Sequence, residues 1–383
     1  MLKKTFSSAV AIALASAMLT APLTAQADNQ SKGGWFSDYT GPQIEFLKIR
    51  IRRYVDSFRG EINTLDDASD GSGRLVGAAI NRGAFESDQR YKDALSEEFS
   101  YVTPENFSKW AQLQPNGPDE YQWDTLDSFL SNADENDQLF KGHVLVWHEA
   151  LPSFVNDSLT PEELQSLSTN HINAVLERYQ GRFYAWDVVN EAVNEDGSLR
   201  DSIWLQKFGK EFIATAFHTA KAADPHAQLL YNDFNIERIN PKSNGVYELV
   251  KELVEAGVPI DGVGFQMHLS AEFAPSVDQI VENITRFTDL GLTVNISELD
   301  VRIAKLPWDQ ATNLAIQKQV YHRVVDACMR VRNCEAVSTW GLTDRYSFVD
   351  IAFGPDDPLQ LDEDYGRKPA YYGMVDGLAL IHI

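Results

Sequence analysis

The chain has 383 residues, with 33 Lys+Arg against 56 Asp+Glu, a formal charge of -23 and a pI of about 4.7. That acidity argues against a nucleic-acid binder, which needs clustered Lys/Arg to neutralise phosphates, and against attachment to anionic membrane surfaces. Apolar residues at 44% suffice for a full core, and the length fits one large barrel or two ordinary domains.

The first 27 residues have the features of a secretory signal. Lys3 and Lys4 supply the positive start, Ala9 to Leu19 an apolar run too short to span a membrane, and Ala25-Gln26-Ala27 a small-x-small cleavage site. Cleavage near Ala27 would deliver a secreted or periplasmic protein. No later stretch approaches 18 apolar residues, so the mature chain is expected to be soluble. Residues 28–73 form an N-terminal extension. Ile44, Leu47, Ile51, Tyr54, Val55 and Phe58 fall at helical spacing and predict a helix packed on the main domain. Asp66 to Gly73 is expected to be a flexible loop.

From Arg74 to the end, short apolar runs alternate with helix-like stretches. The runs are Leu75–Ile80, Phe99–Val102, Gly142–Trp147, Tyr184–Val189, Gln228–Tyr231, Gly262–Phe265, Leu292–Ile296 and Ala336–Trp340. Pro161 to Tyr179 and Leu314 to Met329 are two of the intervening helices; the first opens with Thr160 as N-cap and Pro161 at the first helical position. Eight strand–helix units predict a (β/α)8 barrel over residues 74–383. A doubly wound open sheet is the alternative, but no Gly-rich phosphate loop follows the first strand. Cys328 and Cys334 are the only cysteines. In an exported protein a local disulfide is the favoured reading, with two free thiols the alternative.

Nearly every predicted strand ends in a polar cluster: Glu105-Asn106 with Lys109, His143 with Trp147-His148, Asn190-Glu191, Asn232-Asp233, Gln266 with His268, Glu298 with Asp300, and Trp340 with Asp344. In a barrel these ends meet on one rim, where active sites sit. Glu191 and Glu298 each close an apolar run, so each is partly desolvated. Two carboxylates facing each other across a cleft suit glycoside hydrolysis, with one as acid/base and one as nucleophile, about 5–5.5 Å apart if configuration is retained. The bland alternative is that either is a structural ion pair. His268 can hold a carboxylate ionised, with Asp300 behind it; the alternative is a satisfied core histidine. His143 and His148 do not form a recognisable metal motif. Trp110, Trp147 and Trp340 sit near rim positions and suit sugar faces, whereas Trp123, Trp186 and Trp204 are expected in the core.

These residues resemble glycoside hydrolase family 10, the retaining endo-β-1,4-xylanases. The resemblance runs from Arg74 to about Gly377. It is carried by Thr103-Pro104-Glu105-Asn106 with Lys109-Trp110, Gly142-His143-Val144-Leu145-Val146-Trp147-His148, Trp186-Asp187-Val188-Val189-Asn190-Glu191-Ala192, Tyr231-Asn232-Asp233, Gly264-Phe265-Gln266-Met267-His268, Ile296-Ser297-Glu298-Leu299-Asp300 and Thr339-Trp340-Gly341. It implies a (β/α)8 barrel with Glu191 as acid/base and Glu298 as nucleophile. It also implies that Asn190 bonds the 2-OH of the reacting sugar and that His268, backed by Asp300, partners the nucleophile. Gln266 and His143 are then ligands of the reacting sugar, Glu105, Asn106 and Lys109 a glycone-side clamp, and Trp147 and Trp340 the walls. Cys328 and Cys334 match a disulfide common in that family. The partner implied is xylan or a xylo-oligosaccharide; no cofactor, metal, nucleic acid or membrane is expected, and the chain is expected to be a monomer.

The chain departs from the family pattern at several places. Glu149-Ala150 replace the usual Ser-Gln after Trp147-His148, Phe348 and Val349 replace a Trp and an Arg, and Phe234 replaces a Tyr. Phe348 and Phe234 remain candidates for substrate contact. Smaller residues at Ala150 and Phe348 predict a looser glycone site that tolerates glucosides or branched xylan. The rival readings are a related retaining β-glucanase and a non-catalytic sugar-binding barrel.

Overall fold

The structure is a computed structural model and describes residues 46–49 and 62–379. The secretory signal and most of the predicted N-terminal helix lie outside the described residues. Residues 46–49 are helical, and Phe46 and Ile49 pack against Leu75, Tyr101, Leu139 and Tyr184 at the start of the strands.

Eight parallel strands close into a barrel. They are β1 (Leu75–Ile80), β2 (Tyr101–Pro104), β3 (Leu139–Val146), β4 (Ala185–Asn190), β5 (Gln228–Asp233), β6 (Gly262–Phe265), β8 (Thr293–Arg302) and β9 (Cys334–Thr339). A ninth segment, β7 (His268–Ser270), pairs only with the outer end of β8. Closure comes from β1 pairing with β9, Leu75 opposite Ala336. Almost every strand residue is buried, because helices cover the outside and side chains fill the inside. This is a (β/α)8 barrel, and the open-sheet alternative is set aside.

The helices follow their local signals. Thr160 and Glu163 form a capping box ahead of Pro161–Arg178. The helix before the last strand spans Gln310–Arg330, longer than the predicted 314–329, and is capped by Asp309. Cys328 and Cys334 are joined in a disulfide across its C-terminal turn, with Cα atoms 5.3 Å apart.

One expectation is corrected. Asp66–Gly73 is no flexible loop: Leu65–Ser72 is a helix. Thr64 and Asp67 form a capping box at its start, and Gly73 ends it in the left-handed region. Leu65 and Ala68 are buried, and the Leu65 amide donates to the Glu98 carboxylate 33 residues away. The polar composition masked a short amphipathic stripe whose partner is tertiary.

The register breaks beside the predicted rim residues. Pairing slips between His143 and Val146, between Asp187 and Val189, and between Ile296 and Leu299. Such irregularities re-aim side chains at the rim of a barrel.

Candidate active site

Glu298 lies near the outer end of β8, 3% exposed. Its Oε1 accepts from Asn232 Nδ2 at 2.7 Å, and its Oε2 lies 3.2 Å from His268 Nε2. His268 Nδ1 lies 2.5 Å from Asp300 Oδ2. The register that sets His268 opposite Asp300 aligns this row. Burial alone would lower the His268 pKa, but the charge of Asp300 and the hydrogen bonds to Asp300 and Glu298 outweigh it and raise it to about 10. Burial likewise favours a protonated Glu298, yet the His268 hydrogen bond and the nearby His143, His268 and Lys141 bring its pKa to about 2. The site therefore presents an ionised Glu298 bonded by an imidazolium.

Glu191 follows β4 directly, with φ at +56°. This left-handed backbone is costly for a side chain with a Cβ and needs surrounding support. The Glu191 amide donates to the Asn232 carbonyl at 2.9 Å, and its own carbonyl accepts from Arg200 Nε at 2.8 Å. Its Oε1 accepts from Asn190 Nδ2 and Gln266 Nε2, both at 3.0 Å, and its Oε2 from Trp147 Nε1 at 3.1 Å.

One residue joins the two carboxylates. Asn232 Nδ2 reaches both Glu298 Oε1 and Asn190 Oδ1, and Asn190 in turn donates to Glu191. Ser297 Oγ donates to Asn232 Oδ1 at 2.7 Å and so fixes its amide orientation. Gly264 permits this, since a Cβ there would stand 2.1 Å from Asn232 Oδ1. The sequence places Asn232 in a rim cluster but assigns it no role; that role depends on three strands meeting. Beneath the site, Lys141 and Asp187 form a fully buried ion pair at 2.6 Å, and His143 Nδ1 lies 2.9 Å from the same Asp187 oxygen. A residue named Lys in a strand gives no hint of this pairing.

The other predicted residues fall as follows. Lys109 is buried, donates to Asn106 Oδ1 at 2.8 Å and stands 4.9 Å above the Trp147 ring. Burial lowers its pKa, against the pull of Glu298, Glu105 and Glu191, so it lies among the carboxylates. Glu105 accepts from Asn81 and Asn106, and burial raises its pKa. The Trp340 and His143 ring centres are 5.2 Å apart in an edge-on arrangement, and those of Phe348 and His268 are 5.1 Å apart. Phe234 instead lies under Lys242, whose ammonium is 3.2 Å from the ring centre. Trp110, placed near the rim by its position in the chain, is 3% exposed and stacks on His171 and Trp204 rather than beside the carboxylates. Trp186 and Trp204 are buried as expected, while Trp123 is partly buried against Tyr121.

His143, Asp187 and Glu298 bring ligand atoms within 4.8 Å of one another. Those atoms are already committed, Asp187 to Lys141 and His143, and Glu298 to Asn232 and His268. The chemistry available is that of two carboxylates.

The ionised state of Glu298 yields a pH prediction. Its lowered pKa favours the folded, ionised form above the ordinary carboxylate pKa of 4.5 and loses that benefit as pH falls through about 2. His268→Asn removes the imidazolium and its hydrogen bond, leaving only His143 and Lys141 to oppose burial. The acid limb of kcat/KM on an aryl β-xylobioside should then move up by at least about two pH units. An unmoved acid limb would show that His268 does not set the charge of Glu298.

A sequence profile described as "Glycosyl hydrolase family 10" matches residues 64–377. An endo-1,4-β-xylanase A from Humicola insolens is 42% identical over 285 residues, 74% of this chain and 75% of that protein. An endo-1,4-β-xylanase B from Thermotoga neapolitana is 39% identical over 75% of this chain and 82% of its own. Among solved structures, xylanase 10B from Thermotoga petrophila RKU-1 in complex with xylobiose superposes with a TM-score of 0.80 at 37% identity, covering 83% of this chain and 98% of that one.

Proposed function

The chain belongs to glycosyl hydrolase family 10, and on that premise we propose that it hydrolyses internal β-1,4-xylosidic bonds of xylan with retention of configuration. It is a glycoside hydrolase of the endo-1,4-β-xylanase type. The observation that supports the retaining course is that two side-chain amides, Asn190 and Asn232, suffice to link the two carboxylates, with Glu298 ionised beside an imidazolium. Glu298 attacks the anomeric carbon while Glu191 protonates the departing glycosidic oxygen. A glycosyl–enzyme ester forms on Glu298. Glu191, now ionised, takes a proton from water, which displaces Glu298 and completes a double displacement. Asn190 stands between the two and is placed to bond the 2-OH of the reacting sugar. Gln266, His143, Trp147 and Trp340 surround that sugar, and Glu105, Asn106 and Lys109 hold the next one.

The substrate reading draws on relatives named as xylanases and on xylobiose held by the structure from Thermotoga petrophila. Export to the periplasm or medium, with signal cleavage near Ala27, and action as a monomer belong to the same proposal. A proton NMR time course on soluble glucuronoxylan tests it. Early β-anomer, before mutarotation, is expected; early α-anomer would mean inversion and defeat the mechanism.

Tolerance at the reacting sugar is a separate expectation. Phe348 borders His268 with a ring smaller than Trp, and Ala150 carries no amide. The kcat/KM on an aryl β-cellobioside should approach that on an aryl β-xylobioside more closely than in Phe348→Trp. A strong preference for the xyloside that the substitution leaves unchanged would refute the looser pocket.

A further inference from the structure

A second hollow lies outside the catalytic centre. Its volume is about 600 Å³, enough for several sugar rings, and it opens between the helix Pro161–Arg178 and the segment following Lys109. Leu167, Asn170, Ala174 and Glu177 lie three or four residues apart and form one stripe on that helix, turned away from its buried face of Leu164, Ile172, Val175 and Leu176. The small Ala174 sits at the centre of the stripe and leaves the hollow open. Tyr121 and Phe154 supply ring surface from the opposite side. Tyr121 stacks on Trp123, ring centroids 4.4 Å apart at 6°, and lies parallel to His171 at 6.5 Å.

The polar groups of the hollow are open to solvent. Neither the exposed Asn170 nor the half-buried Asn173 carboxamide bonds another described residue, and both line the hollow. Accessible amides beside aromatic rings match a pyranose: amides donate to and accept from the equatorial hydroxyls at its edge, and rings cover its C–H faces. Asp119 and Glu177 add carboxylates at the edge. They accept hydroxyl hydrogens from a neutral sugar and repel an anionic one.

The hollow is also wired to the catalytic rim. Trp110 lines it and directly follows Lys109, and the Ala111 amide donates to the Ala150 carbonyl at 2.9 Å. The hollow therefore opens behind the loops that form the wall of the cleft.

We propose that the hollow between Tyr121 and the Asn170–Asn173 stripe is a second, non-catalytic site for a neutral xylan chain, holding polymeric substrate beside the cleft. The proposal rests on the xylanase reading for its ligand. Two variants test it: Asn170→Ala with Asn173→Ala, on a partly exposed helix face that tolerates alanine, and Ala174→Trp, which fills the hollow. Each is measured twice: by kcat/KM on an aryl β-xylobioside, which occupies the cleft alone, and, in a Glu298→Ala background, by depletion onto insoluble arabinoxylan. Both variants should keep kcat/KM within about twofold and lose about fivefold in affinity for the polymer, the scale of one or two neutral hydrogen bonds. Arabinoxylan should be retained better than glucuronoxylan of equal length. Unchanged depletion in both variants would overturn the site. A parallel fall in both readouts would also overturn it, because the residues would then act through the cleft wall. If the parent enzyme fails on the aryl xylobioside, the xylanase reading falls, while the depletion experiment still reports on the hollow.

Discussion

Glu298→Ala is expected to lower kcat on xylan by on the order of 10⁵-fold, the scale seen when a covalent nucleophile is removed. The ester to the sugar cannot form without the carboxylate, and no neighbour replaces it: Asn232 offers an amide and His268 a charged imidazole. Binding should survive, because the other predicted sugar contacts lie on different strands. Calorimetry with xylotriose should therefore give a Kd within a few-fold of the parent. A small anion such as azide, admitted where the carboxylate stood, would restore turnover with a product of the opposite anomeric form. Substantial residual hydrolysis of xylan would refute the assignment of Glu298.

The second large effect concerns Glu191. General acid catalysis is worth about 10²–10⁴-fold, and the gain is largest when the leaving oxygen is strongly basic. Glu191→Ala should thus cut kcat/KM on xylan by about 10³-fold. On an aryl β-xylobioside with an acidic phenol, the loss in the first step should be under about tenfold, since that leaving group departs without help. Slow hydrolysis of the ester should then cause product to appear in a burst followed by a reduced steady rate. Equal losses on both substrates would contradict the acid role. The hydrogen bonds to Glu191 from Trp147, Asn190 and Gln266 explain why position matters as much as charge. Each comes from a different place in the chain, and together they hold a carboxylate on a left-handed residue.

Much of this architecture was visible in the chain itself. Leu75–Ile80 and Gly262–Phe265 were located to the residue, since buried parallel strands appear as continuous apolar runs bounded by turns. The second strand was placed two residues early because its start is set by pairing, Gly77 opposite Tyr101, rather than by its own composition. The seventh barrel strand was predicted to end at Ile296. It continues to Arg302 because Asp300 and its neighbours pair with His268–Ser270, a contact that local pattern cannot announce. The helix at Leu65–Ser72 was missed for the same reason. Trp110 was placed by its neighbour Lys109, but one step along a helical turn points it to the other side of the wall.

The candidate residues divide along the same line. A carboxylate closing an apolar strand is desolvated wherever that strand lies, so Glu191 and Glu298 stood out from sequence alone. The helix cap at Thr160 and the cysteine pair are equally local matters. What the folded chain alone decided was connection. Asn232 bridging Glu298 and Asn190, Lys141 paired with Asp187 under the floor, and the hollow lined by Asn170 and Asn173 all depend on which segments meet. Patterning specifies which face of an element is apolar, because burial acts on each residue separately. Hydrogen bonds and ion pairs act between residues, and their partners exist only once the barrel has closed.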